Sequence, residues 1–68
     1  MNAQYKVRMD KHGSTWYWFV ENPQGGGSGS NNSGSMKFAL VLALRNIPTG
    51  STFVVTTNGN VGQIQTKG

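Results

Sequence analysis

The feature that most constrains this chain is an eleven-residue tract of glycine, serine and asparagine near its middle, from Gly25 to Ser35. None of these side chains can build a hydrophobic core, so a chain of 68 residues must form its core from the two flanking segments. As a flexible coil, the tract would span on the order of 20 Å, enough to connect a strand to a helix. We therefore interpret residues 1–68 as a single domain with a flexible linker at 25–35. The sequence leaves open whether this linker is natural or an engineered join.

The composition excludes most catalytic and metal-binding chemistry. The chain has no cysteine, a single histidine (His12) and only two carboxylates, Asp10 and Glu21. Disulfides and thiolate metal sites are therefore excluded, and a metal centre needs three or four converging ligands. We expect no metal, no other cofactor and no enzymatic activity.

The charge and the hydropathy pattern suggest where the protein acts. The net charge of +4 permits anionic partners such as nucleic acid or an acidic protein surface. The opening "MNAQYKVRMD" is polar and alternating, without the apolar region of a signal peptide. The run from Phe38 to Leu44 is too short to span a bilayer. We therefore expect a cytoplasmic protein without a membrane partner.

The first 21 residues predict a β-hairpin. "QYKVRMD" alternates apolar and polar residues, "TWYWFVE" is rich in aromatic and β-branched residues, and "KHGS" between them reads as a turn. A turn at His12–Gly13, or from Lys11 to Ser14, would pair Met9 with Trp16, Val7 with Trp18 and Tyr5 with Val20. One face would then be wholly apolar: Tyr5, Val7, Met9, Trp16, Trp18 and Val20. The other face would carry Lys6, Arg8, Tyr17 and Phe19.

The segment that begins at Met36 predicts a helix, capped by Ser35 or Ser33 and ended by Pro48 and Gly50. The residues expected to cover the sheet are Met36, Leu40, Ala43, Leu44 and Ile47. Apolar residues also occupy the remaining faces, and a lone helix that is apolar nearly all round must be covered on its second side. We predict a homodimer whose interface contains Phe38, Val41, Leu42 and Arg45. The alternative is that the linker or a sheet edge covers this side.

The last segment, "STFVVTTNGNVGQIQTKG", predicts a second hairpin with a two-residue turn at Asn58–Gly59. This turn pairs Phe53 with Ile64 and Val55 with Gly62, which places Phe53, Val55 and Ile64 on one face. The predicted fold is therefore an α+β domain of the order ββαββ, with one helix packed on a four-stranded, largely antiparallel sheet.

Two resemblances follow from the quoted segments. "LALRNIPTGSTFVVTTNGNVGQI" resembles the end of a family of short bacterial domains of unknown function, whose early Gly-aromatic strand is similar to "GSTWYWFVEN". The step "LALRNIPTGSTFVV" is similar to the small podovirus inhibitors of bacterial RNA polymerase, although this chain is basic and lacks their acidic strip. The resemblance covers roughly half of the chain, and it implies a small phage or bacterial accessory protein that acts by binding.

The first functional hypothesis is binding of single-stranded nucleic acid by the second face of the first hairpin. Aromatic rings stack on unpaired bases while neighbouring cations hold phosphates. The residues predicted to do so are Lys6, Arg8, Lys11, Tyr17 and Phe19. The alternative interpretation is that Tyr17 and Phe19 only pack across the strands.

The second hypothesis is a protein-binding inhibitor or regulator of a host enzyme such as RNA polymerase. It depends on the apolar side of the helix that the sheet does not cover, and on the Tyr/Trp-rich hairpin, since these residue types are enriched at interface hot spots. A third interpretation is an engineered or rearranged scaffold, in which the linker joins former termini and the original chain began at Met36.

Overall fold

The computed structural model describes residues 4–68, except for the side chains of residues 30–33. Five strands and one helix lie along these residues: β1 Gln4–His12, β2 Thr15–Glu21, β3 Gly27–Ser33, α1 Met36–Leu44, β4 Thr52–Thr57 and β5 Asn60–Thr66. The strands form one sheet in the order β3-β2-β1-β4-β5, and α1 packs on β1, β2 and β3. Strands β1 and β4 are parallel, and the other neighbouring pairs are antiparallel. The α+β class is confirmed, but the sheet is mixed and has five strands, where four were predicted.

The additional strand is formed by the Gly/Ser/Asn tract. Residues 27–33 pair antiparallel with β2, so this part of the tract is an edge strand and the prediction of a linker needs correction. The glycine spacing allows this pairing. Gly27 lies opposite Glu21 and Gly29 opposite Phe19, on the side of the sheet away from the helix. A Cβ atom would come within 2.6 Å of the Phe19 ring at Gly27 and 3.0 Å at Gly29, so the ring occupies the space that side chains would need.

Strands β1 and β2 form the predicted hairpin with a register two residues away from the predicted one. His12 pairs with Thr15 around a Gly13–Ser14 turn, and Gly13 has a φ of +64°. Glycine at the first position of a two-residue turn is typical of the type II′ hairpin, so the turn starts one residue later than expected. The pairs Val7–Val20 and Met9–Trp18 replace the predicted ones.

A shift of two residues preserves the alternation of side chains, so the two faces of this hairpin are confirmed. On one face Val7, Met9 and Val20 are buried, and Tyr5, Trp16 and Trp18 pack against them. We call this helix-covered side the inner sheet face. The exposed residues of the other side include Lys6, Arg8, Tyr17 and Phe19.

The helix begins as predicted. The side-chain oxygen of Ser35 accepts a hydrogen bond from the backbone N–H of Phe38 at 3.1 Å, which confirms Ser35 as the N-cap. The side chain of Ser33, the alternative cap, lies outside the described residues. The α-helix ends at Leu44, and i to i+3 hydrogen bonds from Asn46 and Ile47 tighten the chain before it reaches Pro48.

The helix face that covers the sheet differs from the predicted one at its first residue. Met36 is exposed, whereas Ala39 is fully buried together with Ala43. Small side chains at these positions let the helix lie close to the sheet, and the larger Leu40 and Leu44 flank them. Ile47, just beyond the helix, completes the core as predicted.

The second hairpin has the predicted Asn58–Gly59 turn, with Thr57 opposite Asn60. Farther from the turn the register changes at a β-bulge. Val54 and Thr56 are two residues apart on β4, but their partners Ile64 and Val61 are three residues apart on β5. This β-bulge places Ile64 opposite Val54, and Phe53 opposite Gln65. The predicted pairing of Phe53 with Ile64 is therefore wrong: Phe53 is buried in the core, and Ile64 lies on the other side of the sheet.

The C-terminal end of the helix is held by a lysine from the end of the chain. The Lys67 Nζ donates hydrogen bonds to the carbonyl oxygens of Leu44 and Ile47, at 2.8 and 2.9 Å. A cation here adds charge-assisted hydrogen bonds to carbonyls at the end of the helix and offsets the negative end of the helix dipole. The Lys67 backbone also bonds to Ser51 and Gly50. Lys67 therefore ties the helix to the end of β5.

Candidate functional site

The side of the sheet opposite the helix carries four of the five residues that the sequence predicted to bind nucleic acid. We call it the outer sheet face. Strand register places two rows of side chains across it. One row runs from Phe19 through Arg8 and Thr56 to Val61, and the other from Glu21 through Lys6 and Val54 to Ile64. Asp10, His12 and Tyr17 continue the face toward the first turn. No helix of the described residues packs on this side.

The aromatic part of the outer sheet face lies on β2. Phe19 is 42% exposed, and its ring lies over Gly27 and Gly29 of the edge strand. Tyr17 is 38% exposed, and its ring lies nearly perpendicular to that of His12, with ring centroids 5.0 Å apart. Both rings therefore pack partly within the sheet and remain partly exposed to solvent.

The charges on this face balance one another. The Arg8 Nε lies 3.2 Å from the Asp10 carboxylate, and Lys6 lies directly opposite Glu21 in register. Both carboxylate side chains of the protein are therefore on the outer sheet face, beside its two strong cations. The Arg8–Asp10 ion pair and the cross-strand neighbours Lys6 and Glu21 contribute little to stability, but these opposite charges offset the local positive potential. The net charge of +4 thus arises from the cations located elsewhere: Lys11, Lys37, Arg45 and Lys67.

The aliphatic part of the face was not predicted from the sequence. Val61 and Ile64 on β5 are 73% and 66% exposed, the highest values among the large apolar side chains that the structure describes. Val61 lies there by the register of the turn, opposite Thr56, and the β-bulge in β5 brings Ile64 onto the same face, opposite Val54. Gly62 at this position was the available sequence signal, because an isolated glycine within a strand often marks a bulge.

One predicted nucleic-acid-binding residue lies apart from the others. Lys11 is in register with Trp16, so its side chain projects from the inner side of the sheet and not beside Lys6 and Arg8. The predicted group is therefore split: Lys6, Arg8, Tyr17 and Phe19 come together, and Lys11 does not. Lys11 is exposed, and its backbone N–H donates to the Asn58 side chain of the second turn at 2.9 Å.

The residues predicted as a dimer interface form a second surface, on the side of the helix away from the sheet. Phe38 and Val41 are 52% and 43% exposed, Leu42 is half-buried, and Lys37 and Arg45 are exposed at either end. We call these five residues the outer helix stripe. The helix also contacts β3, so the tract does pack beside it, yet Phe38 and Val41 remain uncovered.

Other classes of site receive no support within residues 4–68. No group of three or more potential metal ligands comes together among the side chains that are described. The described part of the chain also contains no helix with the length and apolar character needed to cross a membrane. Comparisons of the sequence with protein-family models and with curated proteins, and of the structure with solved structures, found no match.

Proposed function

We propose that this protein acts by binding, without catalysis, and that the outer sheet face is the surface on which it binds a protein partner. The observation that carries the proposal is the combination of charge balance with exposed apolar surface. Tyr17, Phe19, Val61 and Ile64 are exposed on a face whose two strong cations are each beside a carboxylate.

Charge balance favours a protein over a polyanion. Nucleic-acid affinity depends strongly on cations that are free to neutralise phosphates. At this face a phosphate would have to compete with Asp10 for Arg8, and it would also meet Glu21 beside Lys6. Protein interfaces, in contrast, commonly combine aromatic and aliphatic contacts with a few matched charges.

Single-stranded nucleic acid is the second candidate, and one observation favours it. Arg8 lies directly opposite Phe19, and both side chains are exposed, so a ring and a cation are adjacent on neighbouring strands. Lys6, Arg8, Phe19, Glu21 and Thr56 line a shallow depression there. A base could stack on the ring while Arg8 contacts the phosphate.

A titration decides between the two candidates. A fluorescent mixed-sequence single-stranded oligonucleotide is titrated with the protein at about 50 mM and about 200 mM salt, a range over which counterion release strongly weakens phosphate-dependent binding. The proposal expects no tight, salt-sensitive binding. Tight binding that weakens with salt and is abolished by Arg8→Glu would overturn it and establish the second candidate.

Partner binding is tested with matched baits. The tagged protein, a Val61→Lys/Ile64→Lys variant and a Val41→Lys helix variant are each used to isolate proteins from the source cells. A retained protein is then purified, and its affinity for each bait is measured directly. We expect at least one retained protein to be lost by the β5 variant and kept by the Val41→Lys variant, with little effect of salt on its binding to the unaltered protein. Equal affinity for the β5 variant and the unaltered protein would exclude the outer sheet face as the site.

A further inference from the structure

The helix carries a second surface whose chemistry differs from that of the outer sheet face. Phe38, Val41 and Arg45 follow one another at i, i+3 and i+7, so they lie on one side of the helix. The opposite side, with Ala39 and Ala43, faces the sheet. The outer helix stripe is thus turned away from the core, and its exposed apolar residues cannot be buried by adjustment of the core.

The stripe is positively charged and has no carboxylate beside it. Lys37 and Arg45 stand near its two ends, and the two carboxylate side chains, Asp10 and Glu21, lie on the far side of the sheet. Charge is therefore distributed unevenly between the two sides of the fold. Positive and negative side chains are equal in number on the outer sheet face, and the excess positive charge lies on the helix side. An apolar strip between two unpaired cations is complementary to an apolar strip flanked by carboxylates.

A second copy of the chain fits this surface poorly. In a symmetric antiparallel pairing of two helices centred at Val41, Lys37 of each copy would face Arg45 of the other. In a parallel pairing, Lys37 would face Lys37 of the second copy, and Arg45 would face Arg45. Like charges therefore meet in either arrangement, which lowers affinity. The homodimer stays a prediction, but the charges of its predicted interface weigh against it.

We propose that the outer helix stripe is a docking site for an acidic amphipathic helix of a protein partner. The partner's apolar side packs on Phe38, Val41 and Leu42, and its carboxylates meet Lys37 and Arg45. Amphipathic helices recognise one another by apolar residues at i, i+3, i+4 and i+7, with flanking charges that select the partner. The protein then has a separate binding surface on each side, and this site does not depend on the function proposed for the outer sheet face.

The test uses two synthetic amphipathic helical peptides with the same leucine strip, one flanked by glutamates and the other by lysines. Each is titrated into the isotopically labelled protein, and amide chemical shifts locate the contact while the titration gives the affinity. We expect the glutamate peptide to bind at least about tenfold more tightly than the lysine peptide, with shifts centred on residues 37–45.

A charge-reversed variant, Lys37→Glu/Arg45→Glu, distinguishes charge-selective binding from non-specific apolar binding. It should reverse the preference and bind the lysine peptide more tightly. Lys11→Glu is the matched control, because Lys11 is exposed and lies outside both the outer helix stripe and the outer sheet face, and it should leave the preference unchanged. Circular dichroism confirms that each variant retains the fold.

Three results would overturn the proposal. Equal binding of both peptides would show that the stripe does not select by charge. Shifts centred on β1 and β2 would assign the contact to the outer sheet face. A doubled mass in sedimentation that Val41→Lys returns to that of a single chain would make a second copy the occupant of the stripe.

Discussion

The inner and outer faces of the sheet are built from alternate residues of the same strands, yet they differ in burial. On the inner face Met9 is fully buried and Phe53 is 4% exposed, whereas their outer neighbours Arg8 and Ile64 remain largely exposed. The helix causes the difference, since it lies on one side only. Apolar residues on the inner face stabilise the fold, and those on the outer face are available to a partner.

The largest loss of stability is expected for Phe53→Ala on the inner face. Truncation of a buried phenylalanine removes its packing and leaves a cavity, so we expect a loss of about 3–5 kcal/mol in the free energy of unfolding. Ile64→Ala on the outer face is the matched control and should change stability by no more than about 0.5 kcal/mol. Urea denaturation of both variants gives the two values. Similar losses would mean that Ile64 belongs to the core.

A smaller effect is expected where the outer face meets the edge strand. Gly29→Ala places a methyl group against the Phe19 ring and the Trp18 carbonyl, so overpacking should cost about 1–3 kcal/mol. Gly34→Ala, where a Cβ atom has no neighbour within 4 Å, serves as the control. Thermal and urea unfolding measure both. If Gly29→Ala is as stable as the control, the tract does not pair with β2 beneath Phe19.

The smallest loss of stability is expected at the C-terminal end of the helix, where Lys67 holds the helix against the inner face. Lys67→Met removes the two hydrogen bonds to Leu44 and Ile47 and should cost about 1–2 kcal/mol. Lys37→Met removes the same charge at the opposite end of the helix, where a cation opposes the dipole, and should not destabilise. Urea denaturation of the pair distinguishes them. Equal stabilities would mean that Lys67 does not cap the helix in solution.

Local sequence patterns predicted much of the fold. Period-two alternation assigned the faces of the first hairpin even though its register was two residues out, because a shift by an even number preserves the faces. The Ser35 cap and the Asn58–Gly59 turn were also identified, since each depends on the conformational preferences of a few adjacent residues. The residues Lys6, Arg8, Tyr17 and Phe19 were grouped correctly on one face for the same reason.

Features that depend on neighbours distant in sequence were decided only by the tertiary structure. The tract has no intrinsic strand preference, but the exposed edge of β2 and the ring of Phe19 provide partners for a strand with glycine at alternate positions. A bulge of one residue moved Ile64 to the outer face. Pairing of β1 with β2 also placed Glu21 beside Lys6, on the face where Arg8 and Asp10 are neighbours within β1, and so separated a charge-balanced sheet face from a basic helix. Composition gives only the total charge, and it is the packing of the chain that sets where each charge lies.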